Sequence, residues 1–280
     1  MSAAGYLQIL RPANAVMAGV ASVVAYFIAT GTLVPAALLL LLVVTFITAA
    51  GNVINDYYDA DIDAVNRADR PIPSGQVSRN AALWYAVLLF GAGIAVSLFT
   101  NGICIAFAVF NSLLLALYAA RLKSMPLIGN IAVSYLSGSM FLFGGAFAGM
   151  AGLVHLLPIA VMTFLAMMAR ELLKDAEDVE GDKAGGASTL PIRIGVKKTA
   201  YGAFVFVLLS ALASMVPFLW WGFPYLLLIG AIDLVLIAAA WRSLQCDSPS
   251  CIRQSGASRL LKYGMFASLV VFVLSVLFFG

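Results

Sequence analysis

The chain has 280 residues, of which 63% are hydrophobic and only 10% are charged. A soluble domain of this length carries about 25% charged residues, so this chain cannot cover itself with a polar surface. The net charge of +3 is too small to indicate nucleic acid as a partner. We therefore expect a multi-pass protein of the cell membrane, and nothing in the composition predicts an obligate protein partner.

Nine apolar segments follow one another along the chain, and each approaches the roughly 20 residues needed to cross a bilayer. They lie near residues 13–30, 34–55, 79–99, 102–120, 126–149, 153–174, 198–218, 223–242 and 260–279. The first is longer than the core of a signal peptide and is expected to be retained. The sequence thus predicts an all-α bundle of about nine transmembrane helices, which forms one polytopic domain over residues 1–280.

The distribution of basic residues predicts how the helices are oriented. If the N-terminus is cytoplasmic, the loops near 56–78, 121–125, 175–197 and 243–259 also lie in the cytoplasm. All 16 lysines and arginines then lie in those loops, at helix ends that border them, or beside the N-terminus. Because cytoplasmic loops carry an excess of such residues, we expect this orientation. Four of these residues are expected only to mark the cytoplasmic side: Arg242, Arg253, Arg259 and Lys262.

Two acidic stretches, at 55–63 and 175–182, contain aspartates at the same spacing of i, i+3 and i+7. The two trios are Asp56, Asp59 and Asp63, and Asp175, Asp178 and Asp182. At 3.6 residues per turn, each trio is expected to lie on one face of a helix, at the cytoplasmic end of the second or sixth span. Like charges in these positions repel one another and oppose the helix dipole, so they need a counter-charge. All six aspartates are therefore candidate ligands of Mg²⁺, which prefers oxygen donors.

Basic side chains border both acidic stretches. Arg67 and Arg70 follow the first stretch, and the stiff turn Pro71–Gly75 comes next. Lys123 ends the fourth span on the same side, and the loop Gly185–Thr189 follows the second stretch. Metal-binding carboxylates surrounded by arginine and lysine predict a polyanionic ligand, of which a diphosphate is the commonest kind.

These motifs, in this order on nine spans, resemble the UbiA-type intramembrane prenyltransferases over essentially the full length of the chain. The matching residues are Asn55, Asp56, Asp59 and Asp63 for the NDxxDxxxD motif, Asp178 and Asp182 (with Asp175 ahead of them) for the second motif, and Tyr118, Arg121, Lys123, Gly129 and Asn130 around the end of the fourth helix. A single DxxD motif would be weak support. The ordered set is far more specific.

The stretches 67–75 and 170–182 are most similar to the branch of the family that forms the second ether bond of archaeal membrane lipids. The resemblance implies Mg²⁺-dependent transfer of a geranylgeranyl group from geranylgeranyl diphosphate to the glycerol hydroxyl of geranylgeranylglyceryl phosphate. An aromatic prenyltransferase of the same fold, from a quinone or chlorophyll pathway, is the nearer alternative. The second alternative is an ion-coupled transporter, although transporters usually place ionisable groups near the bilayer midplane.

The resemblance also implies roles for individual residues. The implied catalytic residues are Asp56, Asp59, Asp63, Asp178 and Asp182, together with Tyr118. The implied diphosphate- and substrate-binding residues are Asn55, Arg67, Arg70, Lys123, Arg170, Lys174 and Arg193. Among the tyrosines near the motifs, Tyr118 is favoured over Tyr57, Tyr58 and Tyr135 for stabilising an allylic cation. The phosphate of the acceptor is expected to bind Arg170, Lys174 or Arg193.

A few residues outside the motifs carry expectations of their own. Cys104, Cys246 and Cys251 are expected to be free thiols, since disulfides are rare in intracellular proteins. Asp233, inside the eighth span, is expected to have a structural role with a polar partner. The glycines at 91–93 and 145–149 are expected to let helices pack closely.

Overall fold

The computed structural model describes residues 2–279, apart from the side chain of Asn66. The described chain contains helices and no strand. The α-helices are α1 (Ala3–Ile9), α2 (Pro12–Thr30), α3 (Leu38–Asn66), α4 (Arg79–Ser97), α5 (Gly102–Ala120), α6 (Ile128–Phe147), α7 (Met150–Glu177), α8 (Val179–Ala184), α9 (Leu190–Ile194), α10 (Val196–Ala213), α11 (Phe218–Ser243), α12 (Pro249–Ser255) and α13 (Ala257–Phe279). Short 3₁₀ helices at Pro35–Ala37 and Leu122–Ser124 precede α3 and α6.

Nine helices in the described part of the chain are long and apolar enough to cross a membrane: α2, α3, α4, α5, α6, α7, α10, α11 and α13. The all-α, multi-pass fold predicted from the sequence is therefore confirmed. Two helices extend past the ends predicted for them. The α3 helix, of 29 residues, ends at Asn66, and α7, of 28 residues, ends at Glu177. The extra turns of α3 carry the first aspartate motif, so that motif lies on one continuous helix, as predicted.

The loops that follow α3, α5, α7 and α11 come together at one end of the bundle. The Ser188 N–H donates to the Ser124 carbonyl oxygen (3.0 Å), and Arg79 pairs with Asp61 (3.0 Å). We call this the aspartate end, because residues 55–63 and 175–182 lie there. That this end faces the cytoplasm stays a prediction.

The second aspartate motif does not lie on one continuous helix. The α7 helix ends at Glu177, Asp178 has φ −105° and ψ 13°, and α8 begins at Val179. Asp175 and Asp182 therefore belong to different helices, and the expectation that this trio shares one helix face is wrong. Negative charges at a helix C-terminus oppose the helix dipole and repel one another, which weakens the helix at this point.

Glycines let neighbouring spans pack closely at some, but not all, of the predicted positions. A methyl group on Gly145 would lie 2.6 Å from the Gly152 carbonyl oxygen of α7, and one on Gly93 would lie 2.7 Å from Ile47 Cγ1. By contrast, a methyl group on Gly91 would meet no described atom of another residue within 4 Å. The packing prediction is confirmed for Gly93 and Gly145. It is wrong for Gly91 and for Gly149, where an added methyl group would also meet no described atom within 4 Å.

Gly145→Ala is expected to lower the free energy of unfolding by about 1–3 kcal/mol, because the added methyl group meets backbone rather than a flexible side chain. Thermal unfolding of the purified protein in detergent micelles measures the effect. Gly91→Ala is the matched control, since it adds the same methyl group to open space and should leave the unfolding temperature unchanged. Equal losses in both variants would mean that the close approach to Gly152 is not the cause.

The expectation of three free thiols is wrong for two of the cysteines. Cys246 and Cys251 form a disulfide, whereas Cys104 is free and buried. After α11 the chain turns back into α12, which leaves the two Cα atoms 5.4 Å apart, within the range that a disulfide requires. The expectation relied on the redox compartment, which carries no information about where a loop places two thiols.

Asp233 has the polar partner that was predicted for it. It lies in α11 and accepts a hydrogen bond from Ser214 Oγ (2.6 Å), while the Tyr225 hydroxyl donates to the Ser214 carbonyl oxygen (2.8 Å). His155 stacks on Trp220 at a ring-centroid distance of 3.9 Å. His155 lies near the start of α7, far along the helix from the aspartate motif, and so plays no part in the site described next.

Candidate active site

Basic side chains from two loops face the first aspartate motif on α3. Arg11 Nη2 donates to Asp56 Oδ1 (2.5 Å). Arg70 Nη1 bridges two carboxylates, at 3.2 Å from Asp56 Oδ1 and 2.6 Å from Asp63 Oδ2. Asp56 and Asp63 are buried, and a buried carboxylate without a partner is strongly unfavourable. The two arginines supply the counter-charge that the spacing of the aspartates required.

Lys123 pairs with Asp59, the remaining carboxylate of this motif. Lys123 lies in the short turn Leu122–Ser124 between α5 and α6. That turn packs tightly on Gly129 of α6, since a methyl group there would lie 2.7 Å from the Leu122 carbonyl oxygen and 3.2 Å from Lys123 Cα. The glycine therefore allows the close approach that places Lys123 beside α3.

Arg11 is the residue at this site that the sequence analysis did not select. Its backbone has φ 48°, a left-handed conformation that costs about 1–3 kcal/mol for a residue with a side chain. The Asn52 side chain on α3 donates to the Leu10 carbonyl oxygen (2.8 Å) and so fixes the turn before α2. The only signal in the sequence was an isolated arginine before Pro12, and such a pattern does not identify a partner 45 residues away.

The carboxylates of the second motif have fewer basic partners. Asp175 Oδ2 accepts a hydrogen bond from Asn130 Nδ2 on α6 (2.8 Å). Asp182 is half-buried on α8, and burial raises the pKa of its carboxyl group, with a smaller contribution from the neighbouring charge of Asp178. Asp178 itself is exposed and lies 4.0 Å from Arg253. This side of the site is therefore short of positive charge.

The two motifs come close together near Tyr118. This residue, on α5, lines one cavity with Asn55 of the first motif and with Lys174, which directly precedes the second motif. The loop after α8 packs against α3, since a methyl group on Gly185 would lie 2.5 Å from Ile62 Cδ1. The fold thus brings two motifs more than 100 residues apart in sequence into one site.

A cavity of about 400 Å³ extends into the bundle from Asn55, the first residue of the first motif. We call it the motif cavity. Its polar lining comprises Arg11, Asn55, Tyr118, Glu171 and Lys174, together with other side chains of α2, α3, α5 and α6. Tyr57, Tyr58 and Tyr135 are not among the residues that line it, so the described structure favours Tyr118 among the four tyrosines.

A second cavity of about 330 Å³ adjoins the first. Five methionines line it, so we call it the methionine cavity: Met17, Met140, Met162, Met167 and Met265. Arg170 and Lys262 are its basic lining residues, and Asp233 also contributes to its wall. The side chains that line both cavities are Asn14, Ala18, Ser137, Met140 and Met167.

Two neighbouring residues of α7 separate these cavities. Arg170 lines the methionine cavity and Glu171 the motif cavity, and the two side chains form an ion pair. Arg170 Nε is buried and has no hydrogen-bond partner among the described residues. Four other predicted substrate-binding residues line neither cavity. Arg67 is exposed, Arg70 and Lys123 pair with carboxylates of the first motif, and Arg193 Nε donates to Ser188 Oγ (3.0 Å).

The donor atoms at the site suit a hard divalent cation. In the described residues, no three Asp, Glu, His or Cys side chains converge into one metal-binding group, because ion pairs hold the carboxylates of the first motif against basic side chains. However, Asn55 Oδ1 is buried in the wall of the motif cavity, and no described residue donates to it. A buried acceptor of this kind costs about 1–3 kcal/mol. Carboxylate and amide oxygens are the ligands that Mg²⁺ takes, so the residues fit this ion.

Comparison with known proteins agrees with this geometry. The model of the UbiA prenyltransferase family matches residues 17–277. Digeranylgeranylglyceryl phosphate synthase from Methanoregula boonei is 62% identical over 278 residues, covering 99% of this chain and 100% of the relative. The enzyme of the same name from Methanoculleus marisnigri is 53% identical, covering 98% of this chain and 99% of the relative.

Solved structures show the same fold. A structure described as digeranylgeranylglyceryl phosphate synthase in membranes is similar with a TM-score of 0.85 and 36% identity, covering 97% of both chains. A UbiA homolog from Archaeoglobus fulgidus bound to GPP and Mg²⁺ is similar with a TM-score of 0.64 and 19% identity, covering 94% of this chain and 99% of that one. The resemblance found in the sequence is thus confirmed: the chain belongs to the UbiA prenyltransferase family and is a multi-pass membrane prenyltransferase.

Proposed function

We propose that this prenyltransferase joins geranylgeranyl diphosphate to geranylgeranylglyceryl phosphate, in the synthesis of archaeal ether lipids. In this reaction the bond between the allylic carbon and the diphosphate oxygen breaks, and a bond from that carbon to the glycerol oxygen forms. The hydroxyl proton and the diphosphate are released. The identity of more than 50% with two relatives of that name supports the assignment.

The observation that carries this proposal is the pair of adjoining cavities. The motif cavity begins at Asn55, beside Asp56 of the first motif, and the methionine cavity meets it at Asn14, Ser137 and Met140. Two substrates that each carry a long apolar chain need two apolar spaces that meet near the reacting atoms. The small ring of a quinone precursor would leave much of the methionine cavity unfilled. The cavities therefore favour a lipid acceptor over a small aromatic one.

The aspartates and the basic residues around them would bind the diphosphate. We propose that the aspartates of both motifs hold Mg²⁺ ions, with Asn55 beside them. These aspartates are Asp56, Asp59, Asp63, Asp175, Asp178 and Asp182. When bound, Mg²⁺ neutralises charge on the departing diphosphate. The homolog from A. fulgidus that is bound to GPP and Mg²⁺ has the same fold, which supports a role for the metal. Arg11, Arg70 and Lys123 add positive charge at the first motif, where they already contact carboxylates. Such fixed charges stabilise the transition state without reorganisation.

Tyr118 is proposed to stabilise the allylic cation left by the diphosphate, because it lines the motif cavity together with Asn55 and Lys174, which lie at the two motifs. Water must be kept from this cation, since it would react in place of the acceptor. The loops Pro71–Gly75 and Gly185–Thr189 are proposed to provide this exclusion at the aspartate end. Packing of Gly185 against Ile62 supports that role for the second loop.

The phosphate of the acceptor is proposed to bind at Arg170, with Lys262 nearby in the lining of the methionine cavity. The unpartnered Nε of Arg170 supports this choice, because a buried donor needs an acceptor and none of the described residues supplies one. Lys174 lines the motif cavity instead and would serve the donor substrate, and Arg193 lies farther out. We further propose that residues 1–280 form one domain whose aspartate end faces the cytoplasm, where the basic residues collect.

Product analysis tests the proposed function. Purified protein is given geranylgeranyl diphosphate and Mg²⁺, with geranylgeranylglyceryl phosphate and 4-hydroxybenzoate competing in one reaction, and the products are identified by mass spectrometry. We expect a doubly prenylated glycerol phosphate, which should disappear when the metal is chelated. A prenylated benzoate would contradict the proposed acceptor. Product formation that survives chelation would contradict the role of Mg²⁺.

A further inference from the structure

The break between α7 and α8 determines where the second aspartate motif places its carboxylates. Asp175 lies before the break, on α7, and Asp182 lies after it, on α8. A small change of backbone angle at Asp178 would move Asp182 relative to Asp175. The site therefore needs something to hold the break in place.

Side chains that follow α11 contact this break directly. Arg253, on α12, donates from Nη2 to the Glu177 carbonyl oxygen (2.7 Å) and lies 4.0 Å from Asp178 Oδ1. Ser258, near the start of α13, donates to Glu177 Oε1 (2.6 Å). From the sequence, Arg253 was expected only to mark the cytoplasmic side, and the structure corrects that expectation.

The contacts from Arg253 suit the chemistry of a helix end. The last carbonyl groups of a helix lack partners within the helix and carry partial negative charge. A guanidinium group that donates to such a carbonyl satisfies its hydrogen bond and also offsets the negative charge of the acidic turn. The contact with Asp178 alone would be weak, because both side chains are more than half exposed.

The segment that carries Arg253 is itself anchored. The disulfide between Cys246 and Cys251 ties the start of α12 to the end of α11. Ile252, next to Arg253, is fully buried. It packs in the same core cluster as Ala176, which lies before the break, and Val179, which lies after it. The position of the guanidinium group is thus fixed relative to the end of α7.

We infer that Arg253 is a positioning residue, which fixes the break at Asp178 and thereby the geometry of the second aspartate motif. The effect on the reaction rests on the proposed function, whereas the effect on the backbone does not. In the part of the chain that the structure describes, Arg253 pairs with no aspartate of the first motif, and it is not expected to contact either substrate.

Hydrogen–deuterium exchange of residues 174–184, in detergent and without substrates, tests the backbone effect. In Arg253→Met we expect exchange at the end of α7 to be about 5- to 10-fold faster, as for loss of one ordinary hydrogen bond, because water screens the charge of the exposed Arg253 side chain. Arg253→Lys should restore part of the protection. Arg259→Met, a change in the same region, is the matched control and should not alter exchange. Unchanged exchange in Arg253→Met would overturn the inference, whether or not the wild-type protein transfers a prenyl group.

Enzyme kinetics test the link to the reaction. We expect Arg253→Met to raise the Mg²⁺ concentration that gives half-maximal rate by several fold, with little change in the KM for the acceptor. Faster exchange with an unaltered Mg²⁺ requirement would reduce Arg253 to a structural role and overturn the inference. If Arg253→Met does not fold, Ser258→Ala removes the second contact with Glu177 and should show the same two effects more weakly. Absence of transfer by the wild-type protein would instead overturn the proposed function.

Discussion

Asp182→Asn is expected to lower the rate of prenyl transfer by about 10³-fold, a loss typical for removal of one electrostatic contact made in the transition state. Asparagine keeps the shape of the side chain and removes its charge. Among the described residues, Asp182 forms no ion pair, unlike the carboxylates of the first motif, so the substitution leaves no cation unpaired. The steady-state rate at saturating substrates, measured across Mg²⁺ concentrations, reports the effect.

The same variant should remain folded, and the sign of its stability change follows from the pKa. Burial raises the pKa of Asp182 above its value in the unfolded chain, so the ionised carboxylate destabilises the folded state at neutral pH. The neutral amide of the Asp182→Asn variant would not carry that penalty, and the unfolding temperature of this variant should be equal to or higher than that of the wild type at pH 7. The difference should vanish as the pH falls below the unfolded-state pKa, where Asp182 is protonated in both states.

Asp61→Asn is the matched control for this experiment. Asp61 lies on the same end of α3 as the first motif, but its side chain is 85% exposed and pairs with Arg79. We expect its turnover to stay close to that of the wild type. A variant Asp182→Asn that keeps more than about a tenth of wild-type turnover would contradict the role of Asp182 in holding Mg²⁺ and the diphosphate, since removal of such a contact costs far more.

Lys123→Met should raise the KM for geranylgeranyl diphosphate by about 10- to 100-fold, because a hydrogen bond to a charged group contributes about 1.5–3 kcal/mol. Lys123 pairs with Asp59 in the centre of the first motif, where the proposed diphosphate would bind. Since Lys123 does not line the methionine cavity, we expect little change in the KM for the acceptor. Initial rates with each substrate varied in turn separate the two effects.

Lys198→Met provides the control for Lys123→Met, since it removes an exposed lysine at the same end of the bundle. Its kinetic constants should match those of the wild type. Because the pair of Lys123 and Asp59 is partly exposed, its loss should affect stability only slightly. A rise in the KM for the acceptor, with the donor unaffected, would move Lys123 from the diphosphate site to the acceptor site.

The sequence by itself determined the spans and the end of the bundle at which the two aspartate motifs lie. Lipid offers no partners for backbone hydrogen bonds or for charges, so a spanning helix must be a long apolar run with charged residues near its ends. This requirement leaves a clear pattern of apolar runs and charged ends along the sequence. The first aspartate motif was predictable for a similar reason, because helical periodicity alone places Asp56, Asp59 and Asp63 on one face of α3.

Only the tertiary structure decided which residues meet at the site. Arg11 lies 45 positions from Asp56, and Arg253 lies 76 positions from Glu177. Neither distance leaves a periodic pattern in the sequence, since each contact depends on how separate helices and loops pack. The break at Asp178 also follows from charges and contacts outside the local repeat. The two adjoining cavities are each shaped by several helices at once, so the proposed acceptor space became visible only in the folded chain.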